Sequence, residues 1–188
     1  VWDDAGGLID PLPLPPSIDV ASAYVARYVN MFGGSALAGR RIGVYQHSAV
    51  GRDVLVQVLA GLGADVVPLG RSDRFIPVDT EAVRPEDQAL ARQWATERGL
   101  DAIASTDGDS DRPLLADERG EWLRGDILGL LCARLLGADV VVTPVSSNSV
   151  VERIPGFARV ERTRIGSPYV IAAMDQARAN GLVVCGYE

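Results

Sequence analysis

Hydrophobic and polar residues follow one another along the chain in a repeated order: an amphipathic stretch with helical spacing, a glycine and a short apolar run. The glycines of these repeats are Gly39, Gly63, Gly99, Gly137 and Gly181. A glycine in this place supplies the left-handed residue that ends a helix. The apolar runs that follow suit strands covered on both faces. The pattern therefore predicts alternating helices and strands.

Bounds for these elements can be assigned from the same pattern. The predicted strands cover residues 42–45, 66–67, 102–105, 140–142 and 182–185. The predicted helices cover residues 17–32, 51–62, 85–98, 124–136 and 168–180. Ser17 and Ser167 are the expected N-caps of the first and last helix, and Pro85 suits the first turn of the third. Helices and strands joined by short links form parallel layers.

One β-hairpin interrupts the alternation. Residues 114–116 and 122–123 are apolar and flank Asp117-Glu118-Arg119-Gly120, which has the composition of a turn. We therefore predict an α/β fold with layered, mainly parallel sheets, helices on both faces and one hairpin. The first layer ends with this hairpin, and the strand at residues 140–142 begins a second layer.

Both ends of the sequence have the character of cut points. The chain opens on Val1 and continues into the proline-rich residues 12–16, which exclude helix and are typical of an extended linker. It stops at Glu188, just past a predicted strand. We therefore expect a fragment of a longer protein.

Charge and apolar content limit the partners. The formal net charge is −7, and the 18 basic residues, all arginine, are dispersed along the chain, with no run longer than the pair Arg40-Arg41. Such a chain is a poor partner for nucleic acid or for an anionic membrane. No apolar run reaches membrane-spanning length, because Arg134 and Asp139 interrupt the best one, and no secretory signal is visible. Cys132 and Cys185 lie in apolar runs and are expected to be buried thiols of a cytoplasmic protein.

One acidic segment carries the chemistry. Asp107, Asp109 and Asp111 alternate with small residues directly after a predicted strand, and Arg112 follows them. Carboxylates at alternate positions of an extended backbone point the same way, and a divalent cation relieves their repulsion. Open α/β sheets place ligands at the carboxyl ends of their strands. Arg112 could hold an anion beside the metal, and a phosphate fits best.

Two other interpretations of this segment stay open. It can be a solvated acidic turn without a ligand. It can also be a calcium-binding EF-hand loop, with Asp107, Asp109 and Asp111 at positions one, three and five and Glu118 at position twelve. Against the EF-hand, Arg112 stands where the loop needs glycine, and a strand and a hairpin flank the segment instead of helices.

Three segments resemble motifs of one enzyme family. Residues 107–112, Asp-Gly-Asp-Ser-Asp-Arg, are similar to the metal loop D-G-D-x-D-R of the α-D-phosphohexomutases, which include phosphoglucomutase and phosphomannomutase. Residues 163–170 resemble the T-x-V-G-x-x-Y-[VI] segment of the family's third domain, and Gly186-Tyr187-Glu188 resembles the start of its sugar-recognition loop. The motifs follow in the family's order.

The resemblance implies a four-domain parent enzyme. It implies that residues 1–36 are a linker and helix from the end of a missing first domain, 37–130 an α/β domain with the metal loop, and 131–188 an incomplete second α/β domain. Family enzymes move a phosphoryl group between the 1- and 6-positions of a hexose phosphate through an enzyme phosphoserine. The serine motif T-A-S-H-N-P is absent from this sequence, so the catalytic phosphoserine is expected upstream and the fragment itself is expected to be inactive.

Roles follow position by position from the resemblance. Asp107, Asp109 and Asp111 would bind Mg²⁺, with the phosphoserine of a missing domain as a further ligand. Arg112 would stabilise phosphate, and Glu188 would accept hydrogen bonds from sugar hydroxyls. Arg164 and Ser167 would face substrate phosphate at the start of the last helix, where anions are favoured on physical grounds as well.

Two further features have competing interpretations. His47 ends a strand as a catalytic group would, but no carboxylate or serine motif accompanies it, so a structural role is favoured. Ser146-Ser147-Asn148 could bind phosphate or could cap a helix that begins at Val150. For the whole chain, the alternative to a mutase fragment is a non-catalytic α/β module that binds a cation or another ligand.

Overall fold

The structure is a computed structural model that describes residues 2–7, 9, 13 and 15–188. Val1 and part of the predicted linker, Leu12 and Leu14, lie outside the described residues. The helices are α1 (Ala21–Phe32), α2 (Arg52–Gly61), α3 (Pro85–Arg98), α4 (Gly125–Leu135) and α5 (Ser167–Arg178). The strands are β1 (Arg41–Tyr45), β2 (Asp65–Leu69), β3 (Ala102–Thr106), β4 (Pro113–Ala116), β5 (Trp122–Leu123), β6 (Val140–Pro144), β7 (Arg159–Thr163) and β8 (Val184–Gly186).

The first sheet has the strand order β2-β1-β3-β4-β5. The strands β2, β1 and β3 are parallel, with Ile42 of β1 opposite Val66 on one side and Ala102 on the other. The strands β4 and β5 continue the sheet as an antiparallel hairpin, as predicted. The crossovers to β2 and back to β3 run in opposite directions from β1, and right-handed crossovers then place α2 and α3 on opposite faces.

We call the first sheet and the helices packed on it the first unit. Its core lies between the sheet and α3. Tyr45, Leu69 and Ile103 of the parallel strands lie in one apolar cluster with Ala91 and Ala95 of α3. Trp94 and Trp122 pack against its edge, so these two tryptophans are packing residues. On the other face α2 contacts β1, β2 and β3, and α1 packs against α2.

The second sheet is entirely parallel, in the order β7-β6-β8. Every residue of β6 is buried, which explains the apolar run Val140–Val142 at its start. Val141 packs with Leu130 and Ala133 of α4 on one face. Val140 and Val142 pack with Val170 and Ala177 of α5 on the other. The predicted α/β class, with mainly parallel layers and helices on both faces, is confirmed.

Several local predictions are wrong. The first helix begins at Ala21 with Val20 as its N-cap residue, and Ser17 lies outside it. The amide of Ala21 donates to Asp19 Oδ1 at 2.9 Å. Ser167 is the first residue of α5 and makes no cap hydrogen bond within the helix. Cys132 is exposed and Cys185 is half-buried, because both side chains line a cleft.

The limits of the two units stay a prediction. The structure adds that α1 packs on α2, within the first unit, and that α4 shares its apolar cluster with the second sheet. Among the residues that the structure describes, none of the helices has the length and apolar character that crossing a membrane requires.

Candidate metal centre and adjoining cleft

The acidic loop, residues 107–112, lies between the antiparallel strands β3 and β4. The amide of Asp107 donates to the carbonyl of Arg112 at 3.2 Å, which closes the loop at its base. The Oδ1 atom of Asp107 accepts the amides of Ser110 and Arg112, at 3.1 and 3.3 Å. Ser110 has a φ of 70°, a left-handed conformation that turns the chain back on itself. The loop is therefore bent around the Asp107 carboxylate, not extended.

This bend brings the three carboxylates together. Asp107, Asp109 and Asp111 each offer an oxygen, and these oxygens all lie within 4.8 Å of one another. Asp107 is buried, whereas Asp109 and Asp111 are exposed. Carboxylate oxygens at this spacing form a donor set that suits a hard divalent cation. The sequence analysis attributed this convergence to an extended backbone. That cause is wrong, because the loop bends around the Asp107 carboxylate.

The strands on both sides exclude the EF-hand. The strand β3 precedes the loop and β4 follows it, while an EF-hand needs a helix on each side. Glu118, the residue at position twelve, lies in the exposed turn of the β4–β5 hairpin, and among the described residues the carboxylate cluster consists of Asp107, Asp109 and Asp111 without it.

Arg112 is the cation that the structure places against this cluster. Its Nε atom lies 3.4 Å from Asp107 Oδ2 and 3.6 Å from Asp111 Oδ1. Its Nη1 atom lies 3.8 Å from Glu81 Oε1. These long contacts to three carboxylates and the 59% exposure of the side chain leave guanidinium donors free for an anion.

A cleft separates the acidic loop from the second sheet. It has a volume of about 520 Å³, with Asp111 and Arg112 on one wall and Ser167 and Glu188 on the other. An adjoining cavity of about 450 Å³ reaches from Glu188 to Ser146 and Ser147. Predicted site residues from both sheets therefore line one continuous region.

Glu188 occupies the N-terminus of α5. Its Oε1 accepts the amide of Gly166 at 2.9 Å, and its Oε2 accepts the hydroxyl of Ser167 at 2.7 Å. This is the place where the sequence predicted a substrate phosphate. Arg164 is exposed and its guanidinium lies over the ring of Tyr169, 5.7 Å from the centroid. The predicted roles of Arg164, Ser167 and Glu188 stay predictions.

His47 is fully buried beneath the acidic loop. Its Nε2 lies 2.9 Å from the carbonyl of Thr106, and since a carbonyl only accepts, Nε2 carries the proton. Burial lowers the pKa of His47, which favours this neutral form. The structure therefore gives His47 a local anchoring contact.

The Ser146-Ser147-Asn148 segment makes structural contacts. Asn148 Oδ1 accepts the amide of Val150 at 2.9 Å and caps the short 3-10 turn Ser149–Glu152. The Ser147 hydroxyl accepts from Thr143 at 2.7 Å. Only Ser146 and Ser147 face the adjoining cavity, so the capping interpretation is correct for Asn148.

Sequence reasoning missed two acids at the cleft. Glu81 lines both cavities, and its amide is held by Asp79 Oδ1 at 2.8 Å. Asp126 lines the smaller cavity, and its Oδ2 accepts the amide of Asn148 at 2.9 Å. Asp126 in the first turn of α4 was a signal that could have been used, whereas Glu81 lies in a loop without a motif.

Known proteins resemble this chain in sequence and in fold. Residues 22–120 match the family model described as phosphoglucomutase/phosphomannomutase, alpha/beta/alpha domain II. A phosphomannomutase of Salmonella muenchen is 54% identical over 168 residues, covering 89% of this chain and 35% of that protein. A phosphoglucosamine mutase of Symbiobacterium thermophilum is 32% identical over 183 residues, covering 88% of this chain and 40% of that protein.

The fold has relatives among solved structures. A crystal structure of a phosphoglucomutase/phosphomannomutase family protein from Burkholderia thailandensis superimposes with a TM-score of 0.67 at 18% identity, covering 89% of this chain and 38% of that one. The chain thus spans little more than a third of the length of the relatives it matches. With a family model that covers more than half of its residues, the chain belongs to the phosphoglucomutase/phosphomannomutase family.

Proposed function

We propose that this chain is the part of a phosphohexose mutase that supplies the metal centre and one region of the sugar-phosphate cleft. The observation that carries the proposal is the convergence of three aspartate oxygens within 4.8 Å beside a cleft whose opposite wall holds Glu188 and Ser167. The relatives named phosphomannomutase and phosphoglucosamine mutase support the same reaction class. They also favour it over a non-catalytic binding module.

Asp107, Asp109 and Asp111 are the proposed ligands of Mg²⁺. Three carboxylate oxygens supply half of an octahedral shell, and a phosphoserine oxygen from a part of the enzyme outside this chain would supply a further ligand. When bound, the cation would neutralise charge that develops on the transferred phosphoryl group. This chain would contribute the buried Asp107 as the fixed ligand and the exposed Asp109 and Asp111 as the adjustable ones.

The remaining residues act on the substrate. Arg112, with free donors at the mouth of the loop, would bind a phosphate of the hexose phosphate. Glu188 would accept hydrogen bonds from sugar hydroxyls on the opposite wall. The cleft of about 520 Å³ between them is in the size range of small-molecule sites.

The packing also supports a division of the chain. We place α1 through the β4–β5 hairpin in one unit and α4 onward in a second, because the buried side chains of α4 lie in the cluster of the second sheet. The cleft then lies between two units, a common place for ligand sites.

The metal proposal is tested by titration of the chain with Mn²⁺, followed by electron paramagnetic resonance. We expect wild type to bind and Asp109→Ala to lose affinity at least about 10-fold, since a ligand is removed. Asp175→Ala is the matched control, because Asp175 is an exposed acid of α5 and should leave affinity unchanged. In the whole mutase, Asp109→Ala should abolish turnover. Equal Mn²⁺ binding by wild type and Asp109→Ala would refute the site.

A further inference from the structure

The turn between β1 and α2, residues 46–51, lies directly against the acidic loop. Three hydrogen bonds join them. His47 Nε2 donates to the carbonyl of Thr106 at 2.9 Å, and the amide of Val50 donates to the carbonyl of Gly108 at 3.0 Å. The amide of Gly51 donates to the Ser110 hydroxyl at 2.9 Å. These contacts span 58 to 59 residues of sequence, so the loop depends on a distant segment for its shape.

Ser110 connects this turn to a proposed metal ligand. Its hydroxyl accepts from Gly51 and lies 3.1 Å from the Thr106 hydroxyl, while its amide donates to Asp107 Oδ1. Its φ of 70° is uncommon for a residue with a side chain. The hydrogen bonds of Ser110 therefore fix a conformation that the backbone alone does not favour.

Gly51 is suited to this contact by its lack of a side chain. Its φ of −86° is open to any residue. A Cβ at this position would lie 2.8 Å from Ser110 Cβ and 2.9 Å from Ser110 Oγ, closer than such atoms approach. The absence of a side chain therefore permits the close approach of the turn to the loop.

His47 anchors the loop at its other end. It is fully buried, and its Nε2 contacts the residue that precedes Asp107. Among the residues that the structure describes, its Nδ1 has no hydrogen-bond partner. The imidazole therefore makes one polar contact, and that contact holds the start of the acidic loop.

We propose that the β1–α2 turn holds the acidic loop in the geometry that binds a divalent cation, with Ser110, Gly51 and His47 as positioning residues. The inference rests on the proposed metal site. Carboxylates within 4.8 Å of one another repel before a cation arrives, and a loop free to open would separate them. Support from the turn keeps the ligand oxygens converged, in the way that residues around a metal site orient its ligands.

Ser110→Ala is the primary test, and Ser48→Ala is its matched control. Ser48 lies in the same turn, but its hydroxyl accepts the amide of Ile76 at 2.8 Å, away from the acidic loop. We expect Ser110→Ala to weaken Mn²⁺ binding to the chain about 10-fold, the lower end of what such outer residues contribute. Ser48→Ala should keep wild-type affinity, whatever it does to the melting temperature.

Gly51→Ala tests the same contact from the other side. We expect weaker Mn²⁺ binding, because the new methyl group displaces Ser110. Adding Ser110→Gly removes the atoms that clash, and glycine tolerates the φ of this position. The double variant should therefore lose less affinity than the sum of the two single changes, which marks direct contact.

The outcomes separate this inference from the metal proposal itself. Loss of binding in Asp109→Ala together with wild-type affinity in Ser110→Ala and Gly51→Ala would overturn the positioning role and leave the site standing. Equal affinity of wild type and Asp109→Ala would overturn both. Melts in chelator identify variants that fail to fold. If Ser48→Ala, matched in melting temperature to Ser110→Ala, lost the same affinity, the role of Ser110 would be purely structural and the inference would be wrong.

Discussion

Tyr45→Phe should destabilise the first unit through one buried carboxylate. The Tyr45 hydroxyl donates to Asp87 Oδ1 at 2.9 Å, and Asp87 is 1% exposed. Arg84 holds the same carboxylate through Nε at 2.8 Å and Nη2 at 3.1 Å. The substitution leaves the ring in place, with its centroid 5.1 Å from that of Trp94, and removes only the hydroxyl. Its effect therefore isolates one hydrogen bond to a buried charge.

The expected loss follows from the nature of that bond. Hydrogen bonds to charged groups contribute about 1.5–3 kcal/mol. Because Arg84 still neutralises Asp87, the lower part of this range applies, and we expect a loss of about 2 kcal/mol in the free energy of unfolding. In Tyr28→Phe the lost hydroxyl donates to Tyr24 at an exposed site, at 3.1 Å, and the loss should stay below about 0.5 kcal/mol.

Urea unfolding of wild type and the two variants measures these losses. A Tyr45→Phe loss no larger than that of Tyr28→Phe would refute the reasoning. The pH dependence gives a second test. Burial, and then the hydrogen bond to Asp87, raise the pKa of Tyr45. A raised folded-state pKa gives stability that is fully present below the unfolded pKa of about 10 and is lost as the pH rises above it. Tyr45→Phe should therefore lose less stability than wild type above about pH 10, and an equal decline would contradict the cause.

Two further outcomes are expected. The purified 188-residue chain should show no mutase turnover with mannose or glucose phosphates in a coupled assay, because the serine motif is absent from its sequence; clear turnover would place a nucleophile within it. In chelator, Asp109→Ala should melt at least as high as wild type because removing one of three clustered carboxylates relieves repulsion. Adding Mg²⁺ should then narrow or reverse this difference in melting temperature, since only wild type gains binding free energy. Marked destabilisation of Asp109→Ala in chelator would show that Asp109 stabilises the fold.

The elements predicted from sequence were those with an apolar signal. The fully buried β6 and β1, which is buried except at Arg41, stood out as apolar runs. The strand β7 was missed because its sequence, Arg-Val-Glu-Arg-Thr, is polar, as suits a strand at the edge of the second sheet, where it pairs with β6. The predicted cap at Ser17 is wrong because the helix begins four residues later, where Asp19 accepts the amide of Ala21.

The position of the acidic loop could be predicted from the sequence, but its conformation could not. Spacing and position after β3 identified its aspartates and Arg112. The left-handed conformation of Ser110 is supported by a contact with Gly51, and His47 contacts Thr106. Each of these pairs is separated by 59 residues of sequence. Such contacts leave no local pattern, so the sequence favoured a structural role for His47 without identifying its partner, the carbonyl of Thr106.

The two predictions made for the N-terminus of α5 compete for the same atoms. Glu188 already accepts the amide of Gly166 and the hydroxyl of Ser167, so a phosphate bound there would face a carboxylate of like charge. Each carboxylate oxygen has two lone pairs, and these hydrogen bonds use one on each. The remaining lone pairs can accept sugar hydroxyls at the cleft that Glu188 lines. This arrangement is compatible with sugar recognition by Glu188, and it leaves Arg112 on the opposite wall as the better partner for phosphate.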